Sequence, residues 1–245
     1  MHESSLLRME WFIKTYLEPE RRYHVLDVGS YGVNGTYRHL FPQNRFQYVG
    51  LDISPGPNVD IVPNNIYNWN EIQDDQFDIV ISGQAFEHIE FFWLTIQEMV
   101  RVLNKGGLIC IIAPNGFGEH RYPVDCWRFF SDGMIALARY TSLTVIHAHT
   151  NAAPSPKHHR WFSKYYADSM LIALKPYQGK TRLVDTSNYK CIPADKADIE
   201  SGMISANEYY SLKTTKTFEL AKRFSRITKY MPNYLRLLAK NIFGI

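Results

Sequence analysis

Residues that could bind a ligand lie where short apolar runs of this sequence end. Asp27 and Gly29 close the first run, and Asp52 closes the second run 25 residues after Asp27. In an open α/β sheet, ligands bind outside the carboxyl ends of the strands. Glycine lets the backbone approach a ligand closely, and a carboxylate after the second strand can accept the hydroxyl groups of a ribose. These residues predict a nucleoside-binding site that opens at Asp27.

The glycine spacing distinguishes between two nucleoside cofactors. A dinucleotide-binding loop has the pattern G-x-G-x-x-G, in which the second glycine makes room for the pyrophosphate. Here the glycines are Gly29, Gly32 and Gly35, which does not fit that pattern. Asp27 would also repel a pyrophosphate beside it, whereas an acid there suits a cation. We therefore expect S-adenosylmethionine, which carries an α-amino group and a sulfonium, rather than a nicotinamide dinucleotide.

The elements that position these residues alternate between strands and helices. Short apolar runs predict strands over residues 23–28, 46–52, 59–62, 77–82, 108–113, 143–149 and 169–174. Helical spacing of apolar residues predicts helices over 4–17, 91–103 and 131–140. This alternation is typical of a parallel sheet with helices on both faces. The expected fold is α/β, a Rossmann-like, doubly wound and mostly parallel seven-stranded sheet.

Four segments, in order, resemble the motifs of the class I (Rossmann-like) S-adenosylmethionine-dependent methyltransferases. They are residues 25–29 (VLDVG), 50–52 (GLD), 77–89 and 101–109, and the resemblance covers about residues 20–175. It implies a methyl-transfer activity with S-adenosylmethionine as cofactor. The cofactor-binding set that it implies is Asp27, Gly29 and Ser30 at the methionine moiety, Asp52 and Ile53 at the ribose, Asn64 near the adenine, and Ser82 and Gln84 beside the transferred methyl.

One position departs from the family pattern. The family has a glycine two residues after Gly29, and this sequence has Tyr31 there. Gly32 and Gly35 are out of register with the pattern as well. The resemblance therefore implies the cofactor but does not predict the shape of this loop, and a site that has lost its cofactor is the alternative.

Catalysis of methyl transfer requires few groups. The reaction is a direct displacement, so the protein aligns the nucleophile and, for a hydroxyl acceptor, removes its proton. The candidate general bases are His88, His120 and Asp125, since imidazole titrates closest to neutral pH. His88 could equally be a packing residue at the start of a helix. No spacing of these residues is diagnostic of a metal, and no metal site is predicted.

The densest cluster of polar and aromatic residues, 119–130, follows the fifth predicted strand. Aromatic faces beside carboxylates and imidazoles suit sugar rings, and arginines suit a phosphate or carboxylate on the same acceptor. The alternative is a structural loop in which Asp125 pairs with an arginine. The predicted substrate contacts are Arg121, Tyr122, Trp127 and Arg128.

The expected acceptor is a sugar or a sugar-like small molecule, methylated on oxygen during polysaccharide or glycolipid assembly. Nucleic acid is not expected, because 82–85 (SGQA) lacks the Asn/Asp-Pro-Pro-aromatic motif of base amine methylation. Cys126 also lacks the context of a cytosine C5 nucleophile. The alternatives are a natural-product O- or N-methyltransferase and a non-catalytic scaffold of the same fold.

The chain divides into a methyltransferase-like domain, residues 1–176, and an extension, residues 177–245, that is irregular and then forms basic amphipathic helices. Residues 206–245 contain eight Lys or Arg and two Glu, although the net charge of the chain is only +3. This tail could lie on an anionic membrane surface. It could also pack its apolar stripe on the domain or on a second copy of the chain, and both interpretations stay open.

The composition is that of a globular protein, with 45% hydrophobic and 21% charged residues. Three widely spaced cysteines indicate a reducing compartment without a disulfide framework. Neither a secretory leader nor a run of about 18 apolar residues is visible. We expect a cytoplasmic protein, with the tail as the segment that could hold it at the inner membrane surface.

Overall fold

The computed structural model describes residues 2–151, 160–161 and 167–177. Within them, three α-helices and six strands alternate along the chain. The helices are α1 (Glu3–Tyr16), α2 (Phe92–Val102) and α3 (Ser131–Tyr140), and two short 3₁₀ helices cover Arg38–Leu40 and Phe86–His88. The strands are β1 (Tyr23–Val28), β2 (Phe46–Leu51), β3 (Phe77–Gly83), β4 (Leu103–Pro114), β5 (Thr144–Thr150) and β6 (Asp168–Leu174).

The six strands form one sheet in the order β2-β1-β3-β4-β6-β5. β1 to β4 pair in parallel, and β6 is antiparallel to both β4 and β5. The strand order reverses at β1 and β3, whose carboxyl ends therefore flank the crevice in which such sheets bind ligands. The α/β prediction is confirmed in this six-stranded, Rossmann-like form.

The predicted seventh strand, 59–62, does not form in the described part of the chain. Ile61 makes a single bridge to Leu51 at the edge of the sheet. Pro57 and Pro63 bracket the segment, and proline cannot donate a hydrogen bond to a ladder. At this bridge the Ile61 N–H donates to the Gly50 carbonyl at 2.9 Å and the Asp52 N–H donates to the Ile61 carbonyl at 3.1 Å. The side chain of Asp60 also accepts the Gly50 N–H at 2.7 Å. The segment is therefore fixed to the end of β2 by one short backbone bridge, without extending into a strand.

Apolar side chains bury both faces of the sheet, as the alternation predicts. On one face α1 places Met9 and Phe12 against Ile79 and Ile112. On the other face α2 and α3 pack on a cluster that includes Val80. Full burial of a large aliphatic or aromatic side chain stabilises the folded state by roughly 1.5–3 kcal/mol. The two cores hold the strands rigidly and leave their carboxyl ends for function.

The predicted extension, 177–245, lies outside the described residues except for Tyr177, and its helices stay predictions. The last described strand, β6, ends at Leu174, close to the predicted domain boundary. Among the residues described here, we find no helix long and apolar enough to cross a membrane.

Candidate active site

A cavity of about 380 Å³ opens at the carboxyl ends of β1, β3 and β4. Loops after these strands form most of its wall, and His2, just before α1, reaches it from the side. Seven of the predicted site residues meet there: Asp27, Gly29, Ser30, Gln84, His88, His120 and Tyr122. The cavity thus brings the predicted cofactor motif and two predicted bases into one space.

Asp27 lies at the end of β1, and only 2% of its surface is exposed. The Tyr48 hydroxyl donates to its Oδ2, while Oδ1 has no hydrogen-bond partner among the described residues. Burial raises the pKa of this carboxyl to about 7, because desolvation disfavours the charged form. An unpaired buried acceptor in a cavity wall fits a ligand that brings a cationic donor, and the α-amino group of S-adenosylmethionine is such a donor.

The loop after Asp27 takes a shape that the family pattern did not predict. Gly29 has φ +79°, and a Cβ there would lie 2.2 Å from the Cβ of Ala85, so glycine is required. Tyr31 directs its ring over Gly56, where a Cβ would lie 2.2 Å from the ring. The absence of a side chain at Gly56 therefore makes room for the Tyr31 ring, and Tyr31 is also one of the residues that line the cavity.

Asp52 lies beyond β2, and backbone groups hold its carboxylate. The Tyr31 N–H donates to Oδ2 at 2.9 Å and the Ile53 N–H donates to Oδ1 at 2.8 Å. Each carboxylate oxygen has a second lone pair, which is what a ribose hydroxyl would use. Asp52 and the exposed Ile53 stand beside the cavity rather than among the residues that line it.

Two other predicted cofactor residues also lie away from the cavity. Ser82 is fully buried, and its hydroxyl donates to the Val28 carbonyl at 2.7 Å, which ties β3 to β1. Asn64 is exposed, and its N–H donates to Glu71 at 2.9 Å. The structure brings neither of them to the wall formed by Asp27 and Gln84.

The two predicted histidine bases contact one another in the lining of the cavity. His88 and His120 have ring centroids 5.0 Å apart in an edge-to-face arrangement. His88 Nδ1 lies 2.6 Å from the Val124 carbonyl, and His120 Nδ1 lies 3.1 Å from the Gly118 carbonyl. A carbonyl oxygen can only accept, so in both rings Nδ1 carries the proton and Nε2 has the free lone pair. Burial lowers the pKa of His88, which favours its neutral form.

The side chain of Asp125, the third predicted base, is hydrogen-bonded within its own loop. Its side chain is 2% exposed and pairs with Arg128 at 2.6 Å, and it accepts the His120 N–H at 2.7 Å. These hydrogen bonds, that of Arg128 first, hold the pKa of Asp125 well below its usual range. A carboxylate so stabilised is a weak proton acceptor. The geometry matches the alternative interpretation in which Asp125 pairs with an arginine.

The predicted substrate residues divide in the same way. Tyr122 lines the cavity and is 55% exposed. Arg128 is engaged by Asp125, and the exposed Arg121 pairs with Glu119. Trp127 packs edge-on against Phe92 and donates from Nε1 to the Glu90 carbonyl at 3.1 Å. Of the four, Tyr122 is therefore the one that the structure brings into the cavity.

The sequence patterns do not identify the cavity residues Glu87 and His2. They also do not identify Asp168, which supports the cavity residue Gln84. Asp168 begins β6 and is fully buried, and it accepts hydrogen bonds from Ser4 at 2.8 Å and from Gln84 at 3.0 Å. The antiparallel insertion of β6 beside β4 brings it there, which local patterns do not reveal. Gln84 itself has φ +58°, in the left-handed region that residues other than glycine rarely adopt.

The strained Gln84 is thus fixed between two elements. Its N–H donates to the Ile112 carbonyl of β4 at 2.8 Å, and its amide donates to Asp168 of β6. These contacts turn the chain sharply after β3 and place Glu87 and His88 on the cavity wall.

Comparisons with known proteins agree with this geometry. Residues 26–111 match the family model described as "Methyltransferase domain". No curated protein gives a significant sequence match. Among solved structures, 1,6-didemethyltoxoflavin-N1-methyltransferase from Burkholderia thailandensis, with its ligand and S-adenosylhomocysteine bound, superposes with a TM-score of 0.51 at 14% identity, over 71% of this chain and 80% of that one.

Two further solved structures share the fold over their whole length. The protein BH2331 from Bacillus halodurans C-125 has a TM-score of 0.50 at 16% identity, and the match covers 71% of this chain and 100% of that one. The YcgJ protein from Bacillus subtilis has a TM-score of 0.50 at 17% identity, with 73% and 100% covered. Residues 26–111, with Asp27 and Asp52 among them, thus match the methyltransferase-domain family, and these solved structures share the fold of the chain.

Proposed function

We propose that this methyltransferase acts on a hydroxyl group of a sugar or sugar-like small molecule. The observation that supports the proposal is the make-up of the cavity. Its lining combines Asp27 and Gly29 with His88 and His120. A hydroxyl acceptor bound there would lie beside groups that can take its proton, which an oxygen nucleophile needs and a more basic amine does not.

The residues on the cofactor side of the cavity bind and orient S-adenosylmethionine. S-adenosylmethionine supplies an electrophilic methyl group when it is bound. Asp27 Oδ1 is the acceptor for its α-amino group, and the orphaned state of that atom is the reason for the assignment. Asp52, held by the backbone of Tyr31 and Ile53, is the acceptor for the ribose hydroxyls.

The acceptor side of the cavity supports the sugar class. Tyr122 and Phe117 line it and are 55% and 51% exposed. Exposed aromatic faces at the mouth of a polar cavity suit the C–H face of a sugar ring, whose hydroxyl edge then points inward. Inward of them stand His88, His120 and Glu87, which are hydrogen-bonding groups of the kind that hydroxyls require.

A screen of acceptors tests the proposal. The full-length protein is incubated with methyl-labelled S-adenosylmethionine and with matched panels of nucleotide sugars, glycosides and nitrogen heterocycles. We expect label in base-stable ether products of the sugar panels. Label only in the heterocycle panel would replace the proposal with N-methylation of a natural product, and binding of cofactor without turnover in any panel would favour the scaffold.

A further inference from the structure

Three ligand-type side chains converge on the acceptor side of the cavity. The carboxylate of Glu87 and the imidazoles of His88 and His120 each offer a ligand atom, and these three atoms lie within 4.8 Å of one another. Glu87 Oε1 and His88 Nε2 are 3.6 Å apart. Ligands of one ion at bond lengths of about 2.1 Å are separated by about 3–4 Å, so small side-chain movements would close the set on an ion.

The Glu87 carboxylate is an independent observation that points to a ligand. It is 1% exposed, and neither of its oxygens has a hydrogen-bond partner among the described residues. A buried carboxylate without a partner is strongly destabilising, and buried charges in proteins are paired or bind metals.

The two imidazoles are arranged as metal-binding histidines are. Each has its Nδ1 proton on a backbone carbonyl, Val124 for His88 and Gly118 for His120. A hydrogen bond from the second ring nitrogen is the usual outer contact of a metal-bound histidine, because it fixes the ring and raises the basicity of the ligating nitrogen. Both Nε2 atoms are therefore prepared for a ligand.

The backbone also holds the three residues together. The N–H groups of Cys126 and Trp127 donate to the Glu87 carbonyl at 2.7 and 3.2 Å. Asp125 accepts the His120 N–H, and Arg128 holds Asp125 in place. The loop that carries His120 is thus anchored directly to the turn that carries Glu87 and His88.

We propose that Glu87, His88 and His120 form a binding site for a divalent transition-metal ion, open to the cavity for an acceptor hydroxyl. Two imidazoles with one carboxylate favour Zn²⁺, Co²⁺, Mn²⁺ or Fe²⁺ over Mg²⁺ and Ca²⁺. Three protein ligands leave positions for water or substrate, which is the arrangement of catalytic sites.

The role of the ion rests on the proposed O-methylation. A hydroxyl bound to the ion loses its proton to solvent more readily, because the ion stabilises the alkoxide. The alkoxide oxygen then forms its bond to the methyl carbon as the carbon–sulfur bond breaks, and the bond's electron pair goes to sulfur. With the ion bound, the two histidines serve as its ligands, and the ion takes over from them the task of making the hydroxyl a better nucleophile.

Metal binding is measured first, without turnover. The full-length protein is stripped with a chelator, dialysed and titrated with Co²⁺ and Zn²⁺ by calorimetry and by the visible absorption of Co²⁺. We expect the wild type to bind one equivalent of metal with a Kd on the order of 10 μM or lower. In Glu87→Gln and in His120→Gln the Kd should rise by about 30-fold or more. His39→Gln, an exposed histidine outside the cavity, is the matched control and should bind as the wild type does.

The two variants differ in how they could affect folding. Glu87→Gln conserves shape in the buried turn, and His120→Gln changes a loop residue, so one variant reports even if the other fails to fold. No stoichiometric binding by the wild type, or equal binding by wild type and both variants, would overturn the site. Binding of S-adenosylhomocysteine is measured on the same samples: cofactor binding without metal binding refutes the metal site alone, and metal binding without cofactor binding refutes the proposed function alone.

Discussion

The Tyr48 hydroxyl donates to one oxygen of the Asp27 carboxylate and leaves the other oxygen buried and without a hydrogen-bond partner in the described part of the chain. Tyr48 lies on β2 and Asp27 ends β1, so the parallel pairing of the two strands sets this contact. The tyrosine thereby fixes the orientation of the carboxylate, and the free oxygen becomes the acceptor that a cationic ligand requires.

Ionisation of Asp27 should make the stability of the protein depend on pH. Its pKa is about 7 in the folded state and about 3.9 when unfolded, so the folded state binds its proton more tightly. The free energy of unfolding therefore loses a contribution as the pH rises from about 4 to about 7, and no more is lost above that. Asp27→Asn should be more stable than the wild type at pH 8 by about 2–4 kcal/mol, and by much less at pH 4.5.

Urea unfolding of both proteins across this range measures the difference. Glu20→Gln, at an exposed acid, is the matched control and should follow the wild type at every pH. A constant difference between Asp27→Asn and the wild type from pH 4.5 to 8 would show that Asp27 is ionised throughout, contrary to our account.

Replacement of Gly29 by alanine should damage both stability and the cofactor site. The backbone has φ +79°, and the new Cβ would overlap Ala85 at 2.2 Å. Such a conformation costs about 1 kcal/mol or more for a side chain, and the overlap adds to it. We expect a loss of at least about 2 kcal/mol in thermal or urea unfolding. Gly118→Ala meets no atom within 4 Å and serves as the comparison; equal losses in the two variants would contradict the close approach.

Ser82 distinguishes two roles: the family resemblance implies a cofactor contact, whereas the structure shows a hydrogen bond between strands. Its buried hydroxyl bonds to the Val28 carbonyl, so Ser82→Ala should lower the free energy of unfolding by about 1 kcal/mol. Affinity for S-adenosylhomocysteine should stay within about twofold, since less than 0.4 kcal/mol of binding is then lost. A tenfold loss of affinity in calorimetry would instead show that Ser82 contributes to cofactor binding.

Asp125 should act by holding its loop rather than by accepting a proton. Asp125→Asn keeps the acceptor for the His120 N–H and weakens the ion pair with Arg128. We expect KM for the acceptor to rise several-fold while the pH profile of kcat keeps its shape, because no titrating group of the reaction is removed. A loss of turnover of about a thousandfold or more, with KM unchanged, would instead identify Asp125 as a base.

The sequence predicted most of what depends on local pattern. Buried strands such as β1 and β3 are continuous apolar runs, and the motif residues at their ends, Asp27 and Gln84, reach the cavity as expected. Segment 59–62 failed as a strand because two prolines limit its pairing at an open edge. A short apolar run alone does not reveal whether a partner strand is available.

Long-range contacts explain what the sequence could not predict. Asp168 reaches Ser4 and Gln84 only because β6 enters the sheet beside β4, 164 and 84 residues away from those partners. Arg128 and Trp127 have the residue types of ligand-binding groups, yet one holds Asp125 and the other packs on Phe92. Residue type predicts the interaction that a side chain can make, and the fold decides with which partner.

The most direct test of the account is calorimetric titration of the full-length protein with S-adenosylhomocysteine, in parallel for wild type, Asp27→Asn and Glu20→Gln. This ligand retains the α-amino group that Asp27 is proposed to bind. We predict Kd values in the micromolar range for wild type and Glu20→Gln, and a loss of at least tenfold, about 1.4 kcal/mol, for Asp27→Asn. Absence of binding to the wild type at millimolar ligand, or equal affinity in all three proteins, would contradict the central claim that the cavity at Asp27 is the cofactor site of a methyltransferase.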